Sequence, residues 1–159
     1  MQSLNGAISA GASAAFVIGA VSLAAANPLG TGSGSVRLKG DVALACSVTV
    51  TDLGQSLNLV GGETGKAVGS IVETCNAGTG YLVTINSANA GYLRNDAAGA
   101  IAYSVTYDGQ GGTLGNALPI SRTGAQFGRQ SALAVTVPAG NQATAGTYSD
   151  TLTVTITAK

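Results

Sequence analysis

The chain contains no histidine and no tryptophan, only two phenylalanines, and few charges, seven basic and seven acidic side chains in 159 residues. Without histidine, the commonest general base near neutral pH is missing. The sequence also holds no G-x-S-x-G, no S-x-x-K, no phosphate-loop pattern and no complete G-x-G-x-x-G. Its carboxylates, Asp41, Asp52, Glu63, Glu73, Asp96, Asp108 and Asp150, are scattered singly, whereas an ion-binding loop would cluster several. Two cysteines with no histidine are too few to hold a metal. A formal net charge of zero gives no electrostatic reason to expect nucleic acid, an anionic membrane or an acidic substrate as partner. The expectation is a protein that is not an enzyme, with no catalytic residue, no cofactor, no metal and no nucleic-acid partner.

The scarcity of long charged side chains also argues against exposed amphipathic helices, whose solvent faces need Lys and Glu. Gly, Ala, Ser, Thr, Val and Asn are plentiful instead. Small and β-branched residues suit strands packed face to face. The first 26 residues stand apart: 7–26 carry no charge, hold an apolar centre at Phe16-Val17-Ile18 and Val21-Ser22-Leu23, and end in Ala24-Ala25-Ala26. This pattern predicts a signal peptide over 1–26, cleaved before Asn27-Pro28. An ordered part of the fold and a membrane anchor are the competing readings, although Ala, Ser and Gly make the stretch weakly hydrophobic for a span. Export would explain Cys46 and Cys75, an even pair 29 apart in sequence, as one disulfide. Two reduced, buried thiols in a cytosolic chain remain the alternative.

Residues 27–35 are a Gly/Ser-rich linker. Beyond it the pattern has period two. Val36, Leu38, Val42, Leu44, Cys46, Val48 and Val50 fall on even positions, and Arg37, Lys39, Asp41, Ser47 and Thr49 on odd ones. Such alternation marks strands with one buried face. Its length predicts two consecutive strands divided near Gly40-Asp41. Further strands are expected over 57–60, 68–74, 81–87, 101–107, 114–120, 133–137 and 148–157. Turn residues separate them at Gly61-Gly62, Asn76-Ala77-Gly78, Asn89-Ala90-Gly91, Asn95-Asp96, Asp108-Gly109 and Pro138-Ala139-Gly140-Asn141. The glycine-rich run from Asp108 reads as a hairpin loop rather than a phosphate cradle, since no helix follows. Tyr81, Tyr92, Tyr103 and Tyr107 read as caps of a core, with a sugar-binding platform as the alternative. The expected architecture is an all-β, immunoglobulin-like antiparallel sandwich.

Two blocks resemble the pilins of archaic chaperone–usher systems, grouped with the spore coat protein U domain. One is Val42-Ala43-Leu44-Ala45-Cys46-Ser47-Val48, a strand bearing the first cysteine. The other runs from Ala145-Gly146-Thr147-Tyr148-Ser149-Asp150 to Ile156, similar to the family's terminal G-x-Y-x-D strand; the Cys75-Asn76 and Gly80-Tyr81 segments also fit. The resemblance implies a sandwich that lacks its final strand and is completed by a donor strand. A periplasmic chaperone fills the open groove until, at an outer-membrane usher, the N-terminal extension of the next subunit replaces it. On this reading 27–41 is linker and donor strand, and 42–159 is the pilin domain. Val36 and Leu38, with Val42, are the donor knobs, and Arg37 and Lys39 face water. Tyr148, Leu152, Val154 and Ile156 form the edge of the acceptor groove. The implied product is a homopolymer of identical subunits, an extracellular fimbrium exported through the periplasm and serving adhesion or biofilm. Residues 36–39 as an ordinary first strand of the chain's own sheet is the competing reading. It would go with a monomeric secreted module that binds a carbohydrate or surface polymer, or with a coat or matrix protein that associates without a chaperone.

Overall fold

The computed structural model describes residues 32–97, 99–140 and 142–159. The signal peptide expected over 1–26 lies outside the described residues. The chain falls into two units, one ending at Asp41 and one spanning Val42–Lys159. In the first, residues 32–41 belong to no strand. Lys39 Nζ lies 3.5 Å from Asp41 Oδ2, which puts these two odd-numbered side chains on the same side.

The second unit is all-β. Its strands are β1 (Cys46–Asp52), β2 (Glu63–Cys75), β3 (Tyr81–Ser87), β4 (Tyr92–Arg94), β5 (Ala100–Ala102), β6 (Ser104–Tyr107), β7 (Gln110–Thr113), β8 (Leu118–Arg122), β9 (Gln126–Val137) and β10 (Leu152–Ala158). Every pairing is antiparallel. One sheet has the order β1-β2-β9-β6-β7, a second β10-β3-β8, and β4-β5 form a short ribbon. Alternate residues of both larger sheets point into one core: Ile71, Val105, Tyr107, Leu133, Val135 and Val137 from the first, Tyr81, Val83, Ile85 and Ile120 from the second. In an immunoglobulin domain the sheets run A-B-E-D and C-F-G. Here β1-β2-β9-β6 takes the A-B-E-D order and β3-β10 the places of C and F. The place of G, along the outer edge of β10, is filled by no strand among the described residues. The sandwich is immunoglobulin-like and open along one side.

Several expected strands differ, each for a local reason. No strand forms over 36–44, and β1 starts at Cys46. Residues 57–60 make a loop and turn, tied down by Asn58 N–H donating to Glu63 Oε1 and by Lys66 Nζ donating to the Ser56 carbonyl. The stretch 101–107 divides at Tyr103, whose N–H turns aside to the Gly91 carbonyl, so β5 joins the β4 ribbon while β6 joins the large sheet. Residues 114–117 form no strand, and β8 begins at Leu118. Asp108 and Gly109, with φ of 50° and 75°, make a two-residue hairpin turn that carries the glycine-rich β7 back along β6. Tyr81, Tyr103 and Tyr107 are buried and only Tyr92 is exposed, so the four tyrosines present no common platform. At Gly80, with φ of 91°, an added Cβ would sit 2.1 Å from the Arg122 carbonyl oxygen. That position leaves room for glycine alone.

Candidate functional site

The open side of the sandwich lies between β1 and β10, each the outermost strand of its sheet. Both are half-finished. Leu152, Val154, Ile156 and Ala158 alternate with exposed threonines, yet are only half-buried, as are Cys46 and Val48 of β1; Val50 is exposed. These side chains point inward and still meet solvent.

The backbone tells the same story. Thr151 O accepts from Ala88 N–H and Lys159 N–H donates to Gly80 O, so the odd-numbered residues of β10 carry the ladder to β3. By alternation, the N–H and C=O of Leu152, Val154, Ile156 and Ala158 point to the free edge. On β1, Asn76 N–H donates to Ala45 O and Leu53 N–H to Val68 O. Its even residues, Cys46, Val48, Val50 and Asp52, therefore turn their backbone outward too. Asp52 apart, each edge offers backbone groups with no ladder partner among the described residues from the same residues that offer apolar side chains. A lone domain normally blunts such edges.

At one end the groove deepens into a cleft of about 470 Å³, lined by Leu57, Leu59, Val68, Leu93, Tyr148 and Leu152 among others. Tyr148 lies just before β10 rather than within it. Its hydroxyl donates to the Thr144 carbonyl at 3.1 Å, the tyrosine-corner arrangement that fixes the approach to strand F in immunoglobulin domains. Asp150 anchors the same end: it accepts from Ser87 Oγ, from Tyr103 Oη and from the Asn89 N–H. Burial, then the hydrogen bond to Asp150, push the Tyr103 hydroxyl pKa up. At the other end Cys46 and Cys75, direct neighbours across β1 and β2, form a disulfide. It fastens the β1 wall of the groove to the sheet.

Beside that disulfide lies a buried polar cluster that sequence reading missed. Glu73 is fully buried. It accepts from Tyr81 Oη (2.6 Å), from Tyr107 Oη, and from Arg122 Nε (2.9 Å) and Nη2 (2.7 Å). Arg122 Nη1 also donates to Asp108 Oδ2, which accepts from Arg129 as well. Burial alone would push the Glu73 pKa up, but the hydrogen bonds from Arg122, Tyr107 and Tyr81 prevail and hold it below its ordinary value. Burial, then Glu73, push Tyr81 up to about 12. Since β2 and β6 belong to one sheet and β3 and β8 to the other, the cluster pins the two sheets together. One signal was readable: Glu73 occupies the inward phase between Ile71 and Cys75.

The expected donor residues Val36, Leu38 and Val42 are exposed and outside any strand. Among the described residues, no group of three or more Cys, Asp or Glu side chains is placed to hold a metal ion.

A family model described as the spore coat protein U domain matches residues 33–155. Among solved structures, the crystal structure of the E. coli Hda pilus minor tip subunit, HdaB, matches at 14% identity with a TM-score of 0.41, over 69% of this chain and 79% of that one. No curated protein matches.

Proposed function

The chain belongs to the spore coat protein U domain family, and on that premise we propose that it is a structural pilin that polymerises by donor-strand complementation into an extracellular chaperone–usher fibre. The observation that carries this reading is the free edge of β10, where half-buried Leu152, Val154 and Ile156 coincide with outward-facing backbone groups. A strand laid there would complete the sheet and the core together. Residues 36–42 suit that role. They equal β10 in length, at seven residues, and present Val36, Leu38 and Val42 on one face with Arg37, Lys39 and Asp41 on the other. Each fully buried Val or Leu contributes about 1.5–3 kcal/mol, and the strand adds a run of backbone hydrogen bonds. The groove is held by a periplasmic chaperone and handed at an outer-membrane usher to the arm of the next identical subunit. The resulting surface fimbrium serves adhesion or biofilm. A monomeric binding module leaves both free edges unaccounted for.

The test is Leu38→Asp. A carboxylate desolvated in the groove without a partner outweighs the apolar gain. The variant is expected to fold with a chaperone yet give no heat-resistant ladder of polymers, whereas Arg37→Ala assembles normally. Normal fibres from Leu38→Asp subunits would return residues 36–39 to their own sheet and favour the monomeric module.

A further inference from the structure

The domain carries exposed apolar residues at both ends of the groove. At the disulfide end, Val42, Leu44 and Phe127 are exposed, with Phe127 at 75%. Together with Ala77 and Lys159 they line a shallow concavity. At the cleft end, Leu53 and Val60 are exposed. Phe127 projects from the outer face of its sheet, because it opposes Thr74, which lies between the inward-facing Glu73 and Cys75.

A second observation limits how far a neighbouring copy can stand off from the disulfide end. Asn76 grips the chain just before β1, its Nδ2 donating to the Ala43 carbonyl at 2.7 Å and its Oδ1 accepting from the Ala45 N–H at 2.8 Å. The grip begins one residue after Val42. If Val42 is the last donor residue, no slack linker separates the donor strand from the domain it leaves. An extended residue spans about 3.3 Å, so the receiving subunit must press against this end. Completing an antiparallel sheet sets the donor antiparallel to β10, which brings Val42 out beside Leu152, at the cleft end of the receiver.

We propose that the end carrying Leu44 and Phe127 docks on the opposite end of the next copy, at Leu53 and Val60, and that this contact, with the Asn76 grip, sets the angle between successive subunits. It rests on the donor-strand reading above. The contact is heterologous, so repetition extends a filament rather than closing a pair. Donor insertion holds the polymer together; the end-to-end contact makes it stiff.

Phe127→Asp and Val60→Asp separate the two roles, and both residues are exposed enough for the fold to survive. Fibres of each variant are compared with wild type by heat-resistant laddering and by persistence length in electron micrographs. The expected result is an unchanged ladder with a shorter persistence length; Asn76→Ala softens the fibre in the same way. Unchanged persistence length in both aspartate variants overturns the docking inference and leaves donor insertion standing. Loss of the ladder in either overturns it too, by placing that residue in insertion itself. Absence of a ladder from wild type sinks the underlying reading instead.

Discussion

At the scale of single residues, the most demanding group is Glu73. It is buried among apolar side chains and becomes tolerable through hydrogen bonds from Tyr81, Tyr107 and Arg122. Breaking a buried pair by removing one partner costs about 3–5 kcal/mol, because the other charge is left stranded. Glu73→Gln is therefore expected to lower the unfolding free energy of the purified subunit by that order, read as a lower denaturant midpoint. The pH dependence follows from the same contacts. Folding lowers the Glu73 pKa below its ordinary 4.5, so the unfolded state binds the proton more readily. The stability it contributes is complete above about pH 4.5 and is lost as pH falls through the folded value. Tyr81 works in the opposite sense. Raised from 10.0 to about 12, it contributes below its unfolded value and stops contributing as pH rises through 12. Acid titration of unfolding checks this: Glu73→Gln should flatten the acid limb, and an unchanged limb would assign it to other carboxylates. The disulfide is a second residue-scale device. Cys75→Ser is expected to cost about 2–5 kcal/mol and to loosen β1, read as a lower unfolding temperature and lower subunit yield. Two reactive thiols in the native protein would contradict the bond.

Among the elements, β10 reads most clearly in both sequence and structure. Leu152, Val154 and Ile156 share the inward face and Thr153, Thr155 and Thr157 the outward one. β3 was equally legible, since strict alternation between turn residues leaves one register. The rest was hidden for physical reasons. β7 is built partly on Gly111 and Gly112, which have no side chains to alternate, and its position follows from pairing with β6. Leu57 and Leu59 alternate as a strand would, but they line the cleft from a loop held by Glu63 and Lys66. The Glu73 cluster joins residues up to 49 positions apart, beyond the reach of any local pattern. The alternation of 36–44 was visible, but periodicity alone cannot say whose sheet a strand belongs to. A pair of variants addresses that at the level of elements. On the donor-strand proposal, Val154→Asp spoils the groove and spares the arm; Leu38→Asp spoils the arm and spares the groove. Neither is expected to polymerise alone, while their co-expression should yield a dimer by size exclusion, with the arm of one seated in the other. No dimer on mixing would argue against a division of labour between the two elements.

For the whole molecule, on the donor-strand proposal, the unfilled place beside β10 and the chain before β1 are complementary parts of one assembly unit. Two sheets share a core that is closed at the buried Glu73 cluster and open at the β1–β10 side, where no strand among the described residues fills the place beside β10. The central claim is that the strand filling it comes from another copy. Subunits carrying Leu38→Cys together with Leu152→Cys, Val154→Cys or Ile156→Cys place a thiol on the arm and one in the groove at successive registers. After mild oxidation, fibres are run on denaturing gels without reductant, following full heat dissociation. The account predicts that one of the three pairs gives a covalent ladder of dimers, trimers and higher species that collapses to monomer on reduction. Cross-linking confined within single subunits, or absent from all three pairs, would contradict it.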